Sequence, residues 1–280
     1  MRKEKIVSAL LLFAWANVLA GGGWTQKKGE GYFKLGTTYL STDQFYSRSG
    51  EAENITTTSL SINYIYGEYG INDDFTITTY APFFIRTTLN EIVSKNTGSL
   101  IEPGDELNGV GDFDIGLKYG LLKNTKVVMA PSVTLSLPLG TVGGGNTELL
   151  QTGDGEMNVL TKLEASTAIK KYYFTAIGGI NVRSEQFSEE WHLGFEAGYA
   201  SEKLIAASKL YSVQSFFNGS DNAGNGSSIF SNNLEYITIG GELTYLFGSL
   251  GISAGVSYPL SGRSFLNAPA YSGGIVYLMD

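Results

Sequence analysis

GVGDFDIGLKYGLL, residues 109–122, places Phe113, Ile115, Leu117, Tyr119 and Leu121 at every second position, with Asp112, Asp114 and Lys118 on the other parity. A period of two belongs to the β-strand, whose successive side chains point to opposite faces. The stretch reads as a strand with one apolar face and one charged face. Its D-x-D spacing has the look of a metal motif. Two carboxylates with no histidine or third acid make a weak site, however, and Lys118 shares their face to neutralise one of them. Neither a metal nor a cofactor is expected.

The same alternation recurs from Gly31 onward. Phe33, Leu35, Thr37 and Tyr39 alternate with Lys34, Gly36 and Thr38. Leu60, Ile62, Tyr64 and Tyr66 alternate with Ser59, Ser61 and Asn63, and Phe75, Ile77 and Thr79 share a parity in a segment reaching about Arg86. Further candidate strands run near 126–139, 157–169, 172–183, 191–200, 204–214, 234–246, 250–259 and 270–279. Together these make about twelve strands of roughly ten residues, the length of a tilted strand that crosses a bilayer.

The connections sort into two kinds. Short ones are expected around 69–74, 123–125, 170–171, 201–203 and 247–249, and longer polar ones near 43–55, 87–110, 140–156, 184–190, 215–233 and 260–269. Strict alternation of long and short connections characterises outer-membrane barrels, with short periplasmic turns and long extracellular loops. The expected fold is all-β: an antiparallel transmembrane β-barrel with both termini on the periplasmic side. A secreted soluble sandwich shares the turn spacing, but not one nearly charge-free, aromatic parity in strand after strand. Tyr64, Tyr66, Tyr69, Tyr119, Tyr172, Tyr199, Tyr245 and Tyr277 fall at strand ends beside the short turns, and are expected to form an aromatic girdle.

The N-terminus agrees with export. MRKEK is basic, an apolar run follows, and Val18-Leu19-Ala20 is a small-residue cleavage site, so residues 1–20 read as a signal peptide and 21–280 as one barrel domain. No later apolar run reaches the roughly 20 residues of a membrane helix. The chain has no cysteine, which leaves disulfides out of the fold. Its formal charge of −8 becomes −10 once the signal peptide, net +2, is removed. An acidic chain without a basic stripe does not suit nucleic acid.

On the polar parity stand Lys34, Asp112, Asp114, Lys118, Lys162, Glu164, Glu196, Lys209 and Glu242. A lysine facing lipid near the midplane would cost about 2–4 kcal/mol, so these side chains are expected to line the lumen. His192, the single histidine, lacks the serine nucleophile and orienting partner of a hydrolase triad at hand in SEEWHLGFE. The loop stretches QTGDGE (151–156) and NGSDNAGNGSS (218–228) depart from the calcium-loop spacing and read as solvated loop.

Three stretches carry a family resemblance: YGEYGINDDFTITTYAPF (66–83), VGDFDIGLKYGLL (110–122) followed by SVTLSLPLG (132–140), and LQTGDGEMN (150–158). In this combination the chain resembles the outer-membrane barrels grouped under "MetA-pathway of phenol degradation". It is especially similar to a Bacteroidetes-type subgroup whose mature chain begins GGGWTQKKGxGYFKL. The resemblance covers the whole mature chain and implies a porin or transporter in the cell outer membrane, linked by the family's name to aromatic compounds. In place of the C-terminal aromatic of many such barrels stands Asp280. Compared with the long-chain fatty-acid and toluene transporters, which have an N-terminal hatch, the stretch GGGWTQKKGEG before the first strand is too short to fill a lumen.

The function expected from these readings is passive passage of small molecules, aromatic or hydrophobic ones included, through a charge-lined lumen. The expected partners are outer-membrane lipid, the outer-membrane insertion machinery and small solutes. A structural or adhesive barrel with a closed lumen is the alternative, and a lipid hydrolase using His192 the third reading; no enzyme activity is expected.

Overall fold

The computed structural model of the chain describes residues 22–220, 223 and 232–280; the expected signal peptide lies outside them. The strands in chain order are β1 (Gly31–Tyr46), β2 (Ala52–Gly70), β3 (Phe75–Leu89), β4 (Ile92–Val93), β5 (Leu100–Glu102), β6 (Asp105–Gly109), β7 (Phe113–Tyr119) and β8 (Val128–Leu137). They continue with β9 (Asn158–Ile169), β10 (Tyr172–Arg183), β11 (Glu190–Ala200), β12 (Leu204–Ser215), β13 (Glu235–Phe247), β14 (Leu250–Arg263), β15 (Phe265–Leu266) and β16 (Ala270–Met279).

Twelve of these are staves of a closed antiparallel barrel, all except β4, β5, β6 and β15. Each stave pairs with its neighbour in sequence, and β1 closes the ring by pairing β2 on one side and β16 on the other, from Gly31↔Met279 to Tyr39↔Tyr271. Closure leaves no strand edge unpaired, which a lipid environment requires. β6 extends the β7 stave upward along β3 after a break at 110–112, and β15 pairs the upper end of β1. No described residue is helical.

Parity is set by cross-strand pairing. On β7, Ile115, Leu117 and Tyr119 are exposed on the outer wall while Lys118 is buried within. On β1, Leu35 and Tyr39 point out and Lys34 points in. β2 corrects the reading of its own alternation. Lys34 pairs with Tyr66 and Leu35 with Ile65, so Tyr64 and Tyr66 face inward and Ile65, Asn63 and Ser61 face outward. Tyr64 and Tyr66, expected at the membrane boundary, therefore line the interior. The other six, Tyr69, Tyr119, Tyr172, Tyr199, Tyr245 and Tyr277, stand on the outward parity near the short-turn end.

Tyrosine and glycine fit together inside. Gly36 and Gly198 lie under the rings of Tyr64 and Tyr173, where a Cβ would come within 2.4 Å and 2.3 Å of a ring carbon. A glycine covered by a cross-strand ring keeps the sheet both curved and packed.

The connections at the short-turn end are 71–74, 120–127, 170–171, 201–203 and 248–249. At the opposite end the loop expected at 43–55 shrinks to a hairpin at 47–51, because Gln44, Phe45 and Tyr46 pair with Asn54, Glu53 and Ala52. Loop 138–157, by contrast, folds into the barrel mouth: Leu150, Thr152 and Glu156 are buried.

The N-terminal segment 22–30 also turns inward. It enters at the short-turn end and lies against the inner wall, with Trp24 buried on Tyr173 and Val128. Trp24 meets Tyr173 edge to face at 6.3 Å. The Gly23 amide donates to Ser166 Oγ at 2.8 Å, and the Gln26 amide to Thr76 Oγ1 at 2.8 Å. Gly22 has φ +66°, and a Cβ there would sit 2.6 Å from Thr175 Oγ1, so glycine is required both by backbone and by space. At Gly70 a Cβ would overlap the Lys27 carbonyl, the place where the segment bridges the wall. A segment too short for a hatch thus still occupies part of the lumen at the short-turn end.

Candidate functional site

Against the N-terminal segment, whose Gly22 and Gln26 line it, the barrel interior holds a cavity of about 590 Å³. Eight of the nine charged residues expected in the lumen stand on its wall: Lys34, Asp114, Lys118, Lys162, Glu164, Glu196, Lys209 and Glu242. Two of them come from each of β7, β9 and the β12–β13 pair, and one each from β1 and β11. The period of two brings them inward; the register sets Lys209 level with Glu196, while Lys118 and Lys34 reach Glu164 and Glu242 from other levels of the wall.

Most are paired. Lys34 Nζ donates to Glu242 Oε2 at 2.7 Å across the β1–β13 gap, spanned by small residues such as Gly255 and Gly274. Lys118 Nζ lies 2.8 Å from Glu164, and Lys162 lies 3.7 Å from the same carboxylate. Lys209 is 3.3 Å from Glu196, whose other contact is the Tyr173 hydroxyl, donating at 2.6 Å. Lys118 also donates to the Gly22 carbonyl at 2.9 Å, tying the chamber wall to the N-terminal segment. Buried charges are tolerable only when paired and hydrogen-bonded in this way.

Alternation alone did not mark out Glu68 or the tyrosines around it. Glu68 is buried on the chamber wall, accepts from Tyr66 Oη, and accepts from Gln26 Nε2 at 3.3 Å. Tyr32, Tyr64, Tyr80 and Tyr173 complete a largely phenolic lining. The signal was present: Glu68 shares the parity of Tyr64 and Tyr66, and a carboxylate at the end of an aromatic face argues that the face looks inward.

Asp112 is placed differently from the expectation. It stands at the break between β6 and β7, and its carboxylate accepts from the amides of Gly140 at 2.9 Å and Asp154 at 3.1 Å. It therefore pins loop 138–157 rather than facing the chamber. Asp105 pins the same loop further out, accepting from the Thr147 hydroxyl at 2.6 Å and the Asn146 and Thr147 amides. Arg183 completes the latch with Asp154, Glu156 and Glu190 at 3.2, 2.7 and 2.6 Å.

The latch should respond to pH. Burial, then the charge of Glu156, pushes the Asp154 carboxyl up to about 6, against the pull of Arg183. Burial also raises Asp112, which faces Asp154. A carboxyl raised by docking favours the docked loop while protonated, so docking weakens as pH rises from the ordinary carboxylate range through 6. Asp105, held down to about 2 by its hydrogen bonds from Thr147 and Asn146, stays ionised throughout that window. Amide exchange at Thr152, corrected for its intrinsic pH dependence, should be severalfold slower at pH 5 than at pH 7.5. The difference should vanish in Asp154→Asn.

His192 lies inside the wall above the chamber, its ring nitrogens 2.9 Å from the Tyr211 hydroxyl and 3.3 Å from Glu190. Neither contact is a serine hydroxyl, so the arrangement is not that of a hydrolase triad. Among the described residues no group of three or more acidic or histidine side chains is placed to hold a metal ion.

A family model described as "Putative MetA-pathway of phenol degradation" matches residues 50–271. The chain belongs to that family. No curated protein matches it. Among solved structures, an outer membrane channel from Pseudomonas putida F1 is similar at a TM-score of 0.61 and 15% identity, over 91% of this chain and 97% of that one. The NanC porin is similar at 0.53 and 8%, over 88% and 98%. The translocator domain of the autotransporter NalP from Neisseria meningitidis reaches 0.52 and 11%, over 98% and 95%. At these identities the likeness is one of fold, a barrel shared with outer-membrane proteins.

Proposed function

We propose that the protein is a passive channel of the outer membrane, carrying small solutes through the charged, tyrosine-lined chamber, with aromatic and hydrophobic molecules among the candidates. The observation that carries this reading is the chamber itself. An inert barrel would fill its lumen with side chains, whereas this one keeps a cavity of about 590 Å³ inside its wall, lined on one side by Gly22 and Gln26 of the N-terminal segment. Family membership and the channel among the similar structures support it. The outer-membrane location, reached by the signal peptide at 1–20, rests on the closed barrel with its exposed apolar belt, which suits lipid and insertion by the outer-membrane machinery. The opening GGGWTQKKGEGYFKL supports membership of the Bacteroidetes-type subgroup.

In this reading the eight wall charges tune selectivity, and Lys209 is the one to test. Its side chain is 54% exposed inside the chamber and its ion pair is looser than those of Lys34 and Lys118. Lys209→Gln removes one positive charge from the path, so reversal potentials across a KCl gradient should move toward cation preference. An unchanged reversal potential in a conducting variant would remove Lys209 from the path.

The extent of ion pairing, with chain folded into either mouth, favours a second reading, a structural or adhesive barrel with a permanently shut lumen. It predicts no current in planar bilayers and no swelling of liposomes under any solute gradient.

A further inference from the structure

Above the chamber a second cavity of about 290 Å³ opens inside the long-loop mouth, and its chemistry is different. Ile55, Leu60, Leu89, Leu149, Leu150 and Leu266 wall it, from β2, β3, loop 138–157 and β15. Leu60 and Leu89 face inward with the cross-strand partners Thr87 and Thr58. Thr56, Thr58, Thr87 and Thr147 share the wall with Asn90 and Gln151; among the described residues Glu102 is its one charged group, and no lysine or arginine lines it. The floor is held in place: Thr87 Oγ1 donates to the Gln151 carbonyl at 3.0 Å, and Leu150 bonds Gly144 through both backbone groups.

We propose that this pocket is a binding site for a small, uncharged, predominantly apolar molecule, captured from outside before it reaches the polar chamber. A mainly apolar wall with no cation and with the Glu102 carboxylate disfavours anions through desolvation and repulsion. The volume lies near the lower end of ligand pockets, which suits a single ring or a short branched chain. A soluble or lipid-facing barrel has no use for an apolar hollow on its aqueous side, since a void lined by leucines gives up packing without gaining hydration. One wall is loop 138–157, so an occupant would touch the same loop that Asp105, Asp112 and Arg183 hold down. Binding there does not require conduction, although the sequence of capture and passage rests on the channel reading.

The test uses the full barrel in lipid nanodiscs with two probes of matched shape, fluorobenzyl alcohol and fluorobenzoate, followed by fluorine NMR. The alcohol should bind saturably above its partition into empty nanodiscs, and the benzoate should not. Leu149→Asp, at the exposed rim, and Leu60→Asn, in the wall, should each weaken the alcohol at least tenfold, with folding checked by heat-modifiable gel mobility. Lys209→Gln, in the lower chamber, should leave binding unchanged. Equal binding of both probes, or unchanged binding in folded Leu149→Asp, overturns the site. Current without probe binding overturns the site and leaves the channel standing; binding without current does the reverse.

Discussion

Lys118→Met should be the most damaging single substitution inside the barrel. The Lys118 ammonium lies 2.8 Å from Glu164 and 2.9 Å from the Gly22 carbonyl, and both charged side chains are almost wholly buried. Removing it leaves Glu164 without its close cation, with Glu68 on the same wall, and Lys162 at 3.7 Å compensates only in part. Breaking a buried pair from one side costs about 3–5 kcal/mol. Urea unfolding in detergent should show that loss as a lower midpoint at unchanged slope. Lys118→Met combined with Glu164→Gln should recover a substantial part, because the orphaned charge disappears with its partner. A midpoint within error of wild type for the single variant would mean that chamber water or Lys162 compensates Glu164 and that the Lys118–Glu164 pair does not hold the wall together.

Trp24→Ala should produce an equally large effect of a different kind. Truncating a buried tryptophan costs about 3–5 kcal/mol in a core that cannot relax. Trp24, however, belongs to a segment that packs on the wall rather than to a stave, so the loss is drawn from docking of 22–30 and not from the barrel. The remaining ties are hydrogen bonds: the Gly23 and Gln26 amides, Gln26 with Glu68, the Lys118 contact to Gly22, and the bridge of Lys28 to Gly70 with its amide on Asp73. Tryptic cleavage after Lys27 or Lys28 should accelerate more than tenfold, while thermal unfolding of the barrel moves by only a few degrees. Loss of the folded barrel in Trp24→Ala would show instead that the segment is part of the core.

Much of the architecture was readable from the alternation. The segments expected at 157–169, 172–183 and 270–279 are met by β9 at Asn158–Ile169, β10 at Tyr172–Arg183 and β16 at Ala270–Met279. In these strands local chemistry and global environment agree, since each has a lipid-facing apolar parity. β1 and β2 extend past the expected boundary because Asp43, Gln44, Glu53 and Asn54 have the look of loop residues. Above the membrane both faces of a stave meet water or other protein, and hydrophobic alternation no longer marks it. The parity of β2 was misread for a related reason: tyrosine counts as apolar in a periodicity scan, yet its hydroxyl gives it partners among lumen carboxylates. Eight of the nine wall charges were placed by cost alone, since a charge in the barrel wall has one tolerable side. Asp112 escaped that logic by lying just beyond the strand. The infolding of loop 138–157 depends on Arg183 meeting Asp154 and Glu156 from a distant strand, and no local pattern announces such a contact.

The central proposal is a water-filled path through the barrel, closed by the chain's own N-terminal segment. Current through the purified barrel in planar bilayers, recorded side by side for wild type and Trp24→Ala, tests it most directly. Wild type should give small, discrete steps and Trp24→Ala steps several times larger, as the short-turn mouth opens onto the chamber. Silence from both proteins, or identical steps from a variant whose segment is demonstrably undocked, would contradict it.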